Sequence, residues 1–161
     1  MQILVDIDGV LKGRNDEPIG TGILMVGALS AHNRLIFISS ETEDLTRIWL
    51  DSNKIVDYDI IIDSRYKLVG EDLKERQVNV ARAQGGIDMA ITNDPNLWKY
   101  TFELGIPSSM FAVPSYTRVE FRPDAPKKVR SWTQIEDAIN KQNQLRTQDA
   151  RLNRTEAIGF E

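Results

Sequence analysis

Asp6 and Asp8 stand one residue apart at the end of an apolar run, in the segment ILVDIDGVL. Where the extended conformation persists, side chains at i and i+2 point to the same face, so the two carboxylates sit together. Their repulsion, worsened by partial burial, drives one of them to take up a proton unless something else resolves it. A hard divalent cation does so, and Mg²⁺ is usually held by one or two carboxylates with phosphate oxygens and water completing its shell. Gly9 then lets the chain turn sharply away beside a ligand. The competing explanation is that the aspartates only open a loop, as acidic residues often do.

Composition narrows the chemistry. The chain has 161 residues, the length of one domain able to bury a substantial core. With 20 basic and 24 acidic residues the net charge is −4, which argues against a whole-surface nucleic-acid binder but leaves a local basic patch open. There is no cysteine, which excludes disulfides, thiolate metal sites and cysteine nucleophiles, and His32 is the single histidine. Metal chemistry must therefore use oxygen ligands, which favours magnesium, manganese or calcium. No apolar run approaches the ~18 residues of a membrane span, and no basic-then-apolar leader is present. A cytoplasmic location is expected.

The elements that must position these acids follow from short Ile/Val-rich runs alternating with segments of helical spacing. Residues 2–5 read as a strand, 9–20 as a polar, Gly-rich stretch and 21–32 as a helix. The run LIFI at 35–38 does not alternate, as expected of a strand buried on both faces. Ser40 and Glu43 fit the capping box of a helix running to Ser52, which leaves Ser39 free of capping duty. Residues 58–62 read as the third strand, 71–84 as a helix closed by Gly85-Gly86, and 87–91 as the fourth strand. Asp94-Pro95 reads as the cap and first position of a helix reaching residue 103 or 104. A fifth strand is expected at 110–113. The alternation predicts an α/β fold: a three-layer, doubly wound, mostly parallel five-stranded sheet. Ligands of such sheets bind beyond the carboxyl ends of the strands. Immediately after strands one, two and four stand Asp6/Asp8, Ser39 and Asn93/Asp94.

The segment ILVDIDGVL resembles the first motif of the haloacid dehalogenase (HAD) superfamily: an apolar strand, Asp, any residue, Asp, Gly and a hydrophobic pair. The resemblance implies that Asp6 is a nucleophile forming an aspartyl-phosphate and Asp8 the general acid and base. It implies Ser39, in IFISSE, as the hydroxyl on the phosphoryl group, and Lys74, in GEDLKERQV, as the cation joining phosphoryl and aspartate charge, with Lys67 the alternative. Metal ligands by the same resemblance are Asp6, Asp8 with its backbone carbonyl, and Asp94 of AITND, with Mg²⁺ as cofactor. Asn93 would reach the metal weakly or through water. Read from the residues alone, Ser39 and Asp94 also suit helix caps, and Lys74 suits a surface lysine whose stem follows Val78 and Ala81. The activity implied is Mg-dependent phosphomonoester hydrolysis.

The resemblance spans residues 2–113 and leaves no room for a cap domain, only a flap at 9–20 and a bare loop at 63–70. An open, capless site results. The general layout is similar to the phosphatase half of phage polynucleotide kinase-phosphatases, which implies nucleotides or polynucleotide ends as substrates and suits a phage protein. The G-x-x-x-x-G-K-[ST] loop of a kinase half is absent. Arg118, Arg122, Lys127, Lys128 and Arg130 form a basic cluster that suits a phosphate backbone or a solvated loop. Residues 1–125 are expected to form the catalytic domain and 126–161 a C-terminal helical extension. Its helix is expected at 131–154, capped by Ser131, with Trp132, Ile135, Ala138 and Ile139 as its apolar stripe. Leu145 and Leu152 beyond it are too few for firm docking, so the tail either frays or packs on another subunit of a homo-oligomer. Two alternatives stay in view: an inactive binding or regulatory module on the same fold, and a phosphorelay receiver with Asp63 as acceptor. The receiver reading lacks its lysine, since Pro114-Ser115 occupies that place.

Overall fold

The computed structural model describes residues 1–118 and 130–149, apart from the side chains of residues 130–132. Five strands and five helices alternate: β1 (Gln2–Asp6), α1 (Gly20–Ser30), β2 (Arg34–Ile38), α2 (Glu43–Ser52), β3 (Ile60–Ile62), α3 (Leu73–Gly85), β4 (Met89–Thr92), α4 (Pro95–Glu103), β5 (Ser108–Met110) and α5 (Arg130–Gln148). A 3₁₀ turn, Ser64–Tyr66, follows β3. The sheet order is β3-β2-β1-β4-β5 and every pairing is parallel. The fold is thus the three-layer, Rossmann-like α/β arrangement expected from the alternation.

Alternate residues of a strand face opposite sides of the sheet, and here both sides are apolar because both are covered. Ile3, Val5, Leu35 and Phe37 pack with Val26 of α1 and Leu50 of α2 in one core. Leu4, Ile36, Ile38 and Ala90 pack with Val78 and Ala81 of α3 and Leu97 of α4 in the other. Burying each Ile, Leu or Val fully contributes roughly 1.5–3 kcal/mol, so the two cores hold the strand ends firmly. From β1 the chain moves outward to β2 and β3, and α3 then carries it back to β4 on the far side of β1. That reversal opens a crevice between the ends of β1 and β4, the usual ligand position in this architecture. No helix among the described residues is long and apolar enough to cross a membrane.

Several local expectations are corrected. The fifth strand lies at Ser108–Met110 rather than 110–113, paired Ala90↔Ser108 through Thr92↔Met110. Polar residues are tolerated in this edge strand because the Ser108 hydroxyl is satisfied by Thr101 and the Ile106 carbonyl. The third strand is shorter than 58–62, because the Asp59 carboxylate takes the Leu35 amide in place of a ladder bond. Helix α5 ends at Gln148, and the expected stretch 150–154 lies outside the described residues. Ile135 and Ala138 of its expected stripe are buried, whereas Ile139 is 36% exposed. The Trp132 side chain, like Arg122, Lys127 and Lys128, lies outside the described residues.

The Ser40–Glu43 capping box does not form. The cap residue of α2 is Thr42, which makes no side-chain cap bond. The Glu43 amide donates instead to Asp63 Oδ2 (2.9 Å), from the end of β3. Asp63 is 1% exposed and also accepts from the Arg65 amide and from Arg65 Nε. Burial alone would raise its pKa, but the bonds from Arg65 and the two amides hold it below the ordinary carboxylate value of 3.8. A carboxyl engaged on this scale is a structural hub, which explains its burial without a receiver role. Because its folded pKa is depressed, its stabilisation is fully present above about pH 4 and fades as pH falls through the folded value. Asp63→Asn should therefore cost about 0.5–2 kcal/mol near neutral pH, measured by urea denaturation, and the gap from wild type should shrink below pH ~4.

Candidate active site

Asp6 closes β1, its backbone paired with Ile38 of β2. Its side chain has no solvent exposure. Oδ2 accepts from Lys74 Nζ (2.6 Å) and Thr92 Oγ1 (3.0 Å), whereas Oδ1 is buried without a hydrogen-bond partner. Burial pushes the carboxyl up to about 6, against the pull of Lys74 and with a further push from Asp8. Burial disfavours the charge on Lys74, but Asp6, Asp8 and Asp94 outweigh it and raise the ammonium above its usual range. Lys74 rather than Lys67 reaches the acid, because it sits in the first turn of α3 while Lys67 is exposed at the end of the 3₁₀ turn.

Neither serine after β2 takes the place expected of it. Ser40 donates to Asp8 Oδ2 from its hydroxyl (2.7 Å) and its amide (3.2 Å), and it lines the cavity. Ser39 is 1% exposed; its hydroxyl shares a hydrogen bond with Thr46 (2.8 Å) and accepts from the Glu41 amide (3.1 Å). Behind them Gln77, one turn beyond Lys74, donates from Nε2 to the carbonyls of Ser39 (2.7 Å), Ile62 (3.0 Å) and Asp63 (3.0 Å). It ties the helix that carries Lys74 to the ends of β2 and β3. Sequence reasoning missed Gln77 and Thr92, although a threonine closing the strand before Asn93-Asp94 was a readable signal.

An open cavity of about 1090 Å³ lies over the crevice, lined among others by Asp8, Lys12, Arg14, Ser40, Lys74, Asn93, Asp94, Tyr116 and Arg118. Asp94 caps α4 through Oδ1 and the Asn96 amide (2.9 Å), as expected, while facing this space. The Asn93 side chain is committed elsewhere: Nδ2 donates to the Phe111 carbonyl (2.6 Å) and Thr117 Oγ1 (2.8 Å). The flap after Asp8 is pinned to α2 by Lys12, which pairs with Glu41 (2.6 Å) beneath the Trp49 ring, and by Trp49 Nε1 on the Asp16 carbonyl. Gly22 is required where α1 leaves the flap, because a Cβ there would overlap the Val10 carbonyl.

No known protein family matches the sequence, and no curated protein matches it. Among solved structures, a chain of the Pnkp1/Rnl/Hen1 RNA repair complex is similar. The TM-score is 0.58 at 14% identity, over 68% of this chain and 41% of that one. The chain therefore spans less than half of that neighbour, and the likeness establishes a shared fold.

The oxygen donors at the crevice suit a hard cation. Asp6 Oδ1 is an orphaned buried acceptor beside Asp8, and a cation would remove both the orphan and the repulsion. Asp6, Asp8 and Asp94 do not form a compact cluster, since no group of three metal-type side chains occurs among the described residues. Without divalent cation, Lys74→Met should leave Asp6 buried and uncompensated, costing about 3–5 kcal/mol at about pH 8. The folded pKa of Asp6 then lies further above its unfolded value, so the loss should lessen as pH is lowered to about 5. A loss independent of pH in urea denaturation would show that the pair carries no such charge.

Proposed function

We propose that this chain is a Mg²⁺-dependent phosphomonoester hydrolase of HAD type, acting through an aspartyl-phosphate on Asp6, with nucleotides or polynucleotide ends as substrates. The observation that carries the reading is Asp6 itself: a buried carboxylate at the end of the central strand, one oxygen held by Lys74 and Thr92 and the other unpartnered. Such a group has its charge compensated and one oxygen spare for a bond to phosphorus. In the first step an Asp6 oxygen bonds to phosphorus, the ester P–O bond breaks, and the Asp8 carboxylic acid gives its proton to the leaving oxygen. In the second, Asp8 takes a proton from water as that water attacks phosphorus and Asp6 is released. Lys74 offsets charge on Asp6 and the phosphoryl oxygens, and Ser40 orients Asp8 through its hydroxyl and amide. Asp6 and Asp8 would hold Mg²⁺, which would supply charge stabilisation to the phosphoryl oxygens.

The substrate class is supported by the open cavity, by Arg14 and Arg118 on its lining, and by the fold shared with a chain of an RNA repair complex. Phosphate release should be assayed with p-nitrophenyl phosphate, nucleotides and 3′- or 5′-phosphorylated oligonucleotides, with Mg²⁺ or a chelator. Activity should require the cation, Asp6→Asn should abolish turnover while preserving the fold, and Asp8→Asn should lose about 10²–10⁴-fold. Full activity in Asp6→Asn would remove the nucleophile assignment. Mg²⁺ bound without turnover of any phosphoester would favour a binding module instead.

A further inference from the structure

Asp6 has no exposure, and the cavity lined by Asp8 and Lys74 stops short of it. A carboxylate that solvent cannot reach cannot meet a substrate, so one wall around it has to move. Most of those walls are fixed. Asp6 is paired to β2, Thr92 ends β4, and Lys74 rides on a helix docked through Val78 and Ala81. The turn carrying Tyr116 belongs to no strand or helix, and its ring presses on Gly9 beside the two aspartates. A Cβ added to Gly9 would overlap the Tyr116 ring and come within 2.8 Å of Asn93 Cβ. Burial pushes the Tyr116 phenol up, followed by Asp8, with Lys74 opposing and Asp6 adding to the rise. The ring lines the same cavity as Asp8 and Lys74.

What holds this turn is specific. The Val113 carbonyl accepts from the Tyr116 and Thr117 amides (3.0 and 2.7 Å), and Thr117 Oγ1 accepts from the Val113 amide (3.0 Å). Outside contacts tie it to the site from both sides of the crevice. Asn93 donates to Phe111 and Thr117, and Arg14 of the flap donates to the Tyr116 carbonyl (3.0 Å). We propose that the Tyr116 turn is a gate over Asp6, latched by Asn93 and Arg14 and released when an incoming phosphate draws Arg14 away. A guanidinium can meet a phosphate with two parallel bonds and an opposite full charge, against one bond to a neutral carbonyl, so an anion entering the cavity competes for Arg14 with advantage. Asn93 is then a positioning residue of the gate, which accounts for a neutral amide beside Asp94.

The gate concerns access to the site proposed above, and it is tested without turnover because the chain contains no cysteine. Asp6→Cys places a single thiol beneath Tyr116, and Asp8→Cys places one on the cavity wall as an accessible control. With methyl methanethiosulfonate, Asp6→Cys should react slowly and Asp8→Cys quickly. Adding Tyr116→Ala should accelerate Asp6→Cys about tenfold or more, as removal of a local opening step implies, whereas Tyr116→Phe should leave it slow. Thr92→Cys, nearly isosteric and beside Asp6, gives the same reading should Asp6→Cys fail to fold. Inorganic phosphate should speed Thr92→Cys labelling, and Arg14→Ala should make labelling fast without it. Equal labelling of Asp6→Cys and Asp8→Cys, or no effect of Tyr116→Ala, overturns the gate whether or not the chain hydrolyses phosphoesters.

Discussion

The ion pair between Lys74 and Asp6 joins the carboxyl end of the central strand to a helix on one face of the sheet, across a span of 68 residues. A charged carboxylate without exposure carries a desolvation cost of several kcal/mol, and only a close, well-directed partner offsets it. Lys74 can serve because α3 is held at the right height. Val78 and Ala81 dock it on the sheet, the Asp72 side chain caps its first turn, and Gln77 fastens it to three carbonyls at the ends of β2 and β3. The same carbonyls fix the start of the loop that presents Ser40 to Asp8. Sheet, helix and loop thus converge on one contact.

Around that contact the charges are unequally committed. Lys12 lines the cavity but is neutralised by Glu41 and Asp16, so its task is to clamp the flap on α2. Arg14, two residues on, donates to a neutral carbonyl and keeps a full charge for an anion. The flap is thereby clamped at Lys12 and presents a cation at Arg14. Asn93 performs the matching task on the other side of the crevice, where a second carboxylate would have repelled Asp94 and could not have donated to Phe111 and Thr117.

The layer order was legible because it rests on signals that survive in one dimension. Unbroken apolar runs such as LIFI mark strands covered on both faces, and Asp94-Pro95 marks a helix start that the structure contains. The edge strand was not legible, since Ser108 and Ser109 lack an apolar pattern and are satisfied by contacts with α4. The capping box failed for a related reason. A local Ser-x-x-Glu spacing competes with partners from distant segments, and Asp63 and Asp8 took the donors that the box would have used.

The amino-acid sequence by itself determined the parallel α/β architecture, the pair of carboxylates at the end of its first strand and the all-oxygen character of any metal chemistry. These follow from periodicity, spacing and composition, which need no knowledge of long-range contacts. Tertiary structure alone decided that Lys74 rather than Lys67 meets Asp6, that Ser40 rather than Ser39 faces Asp8, and that the Tyr116 ring packs on Gly9 beside them. Each of those choices depends on which segments the two cores bring within hydrogen-bond reach, and partners 32 to 68 residues apart leave no periodic trace.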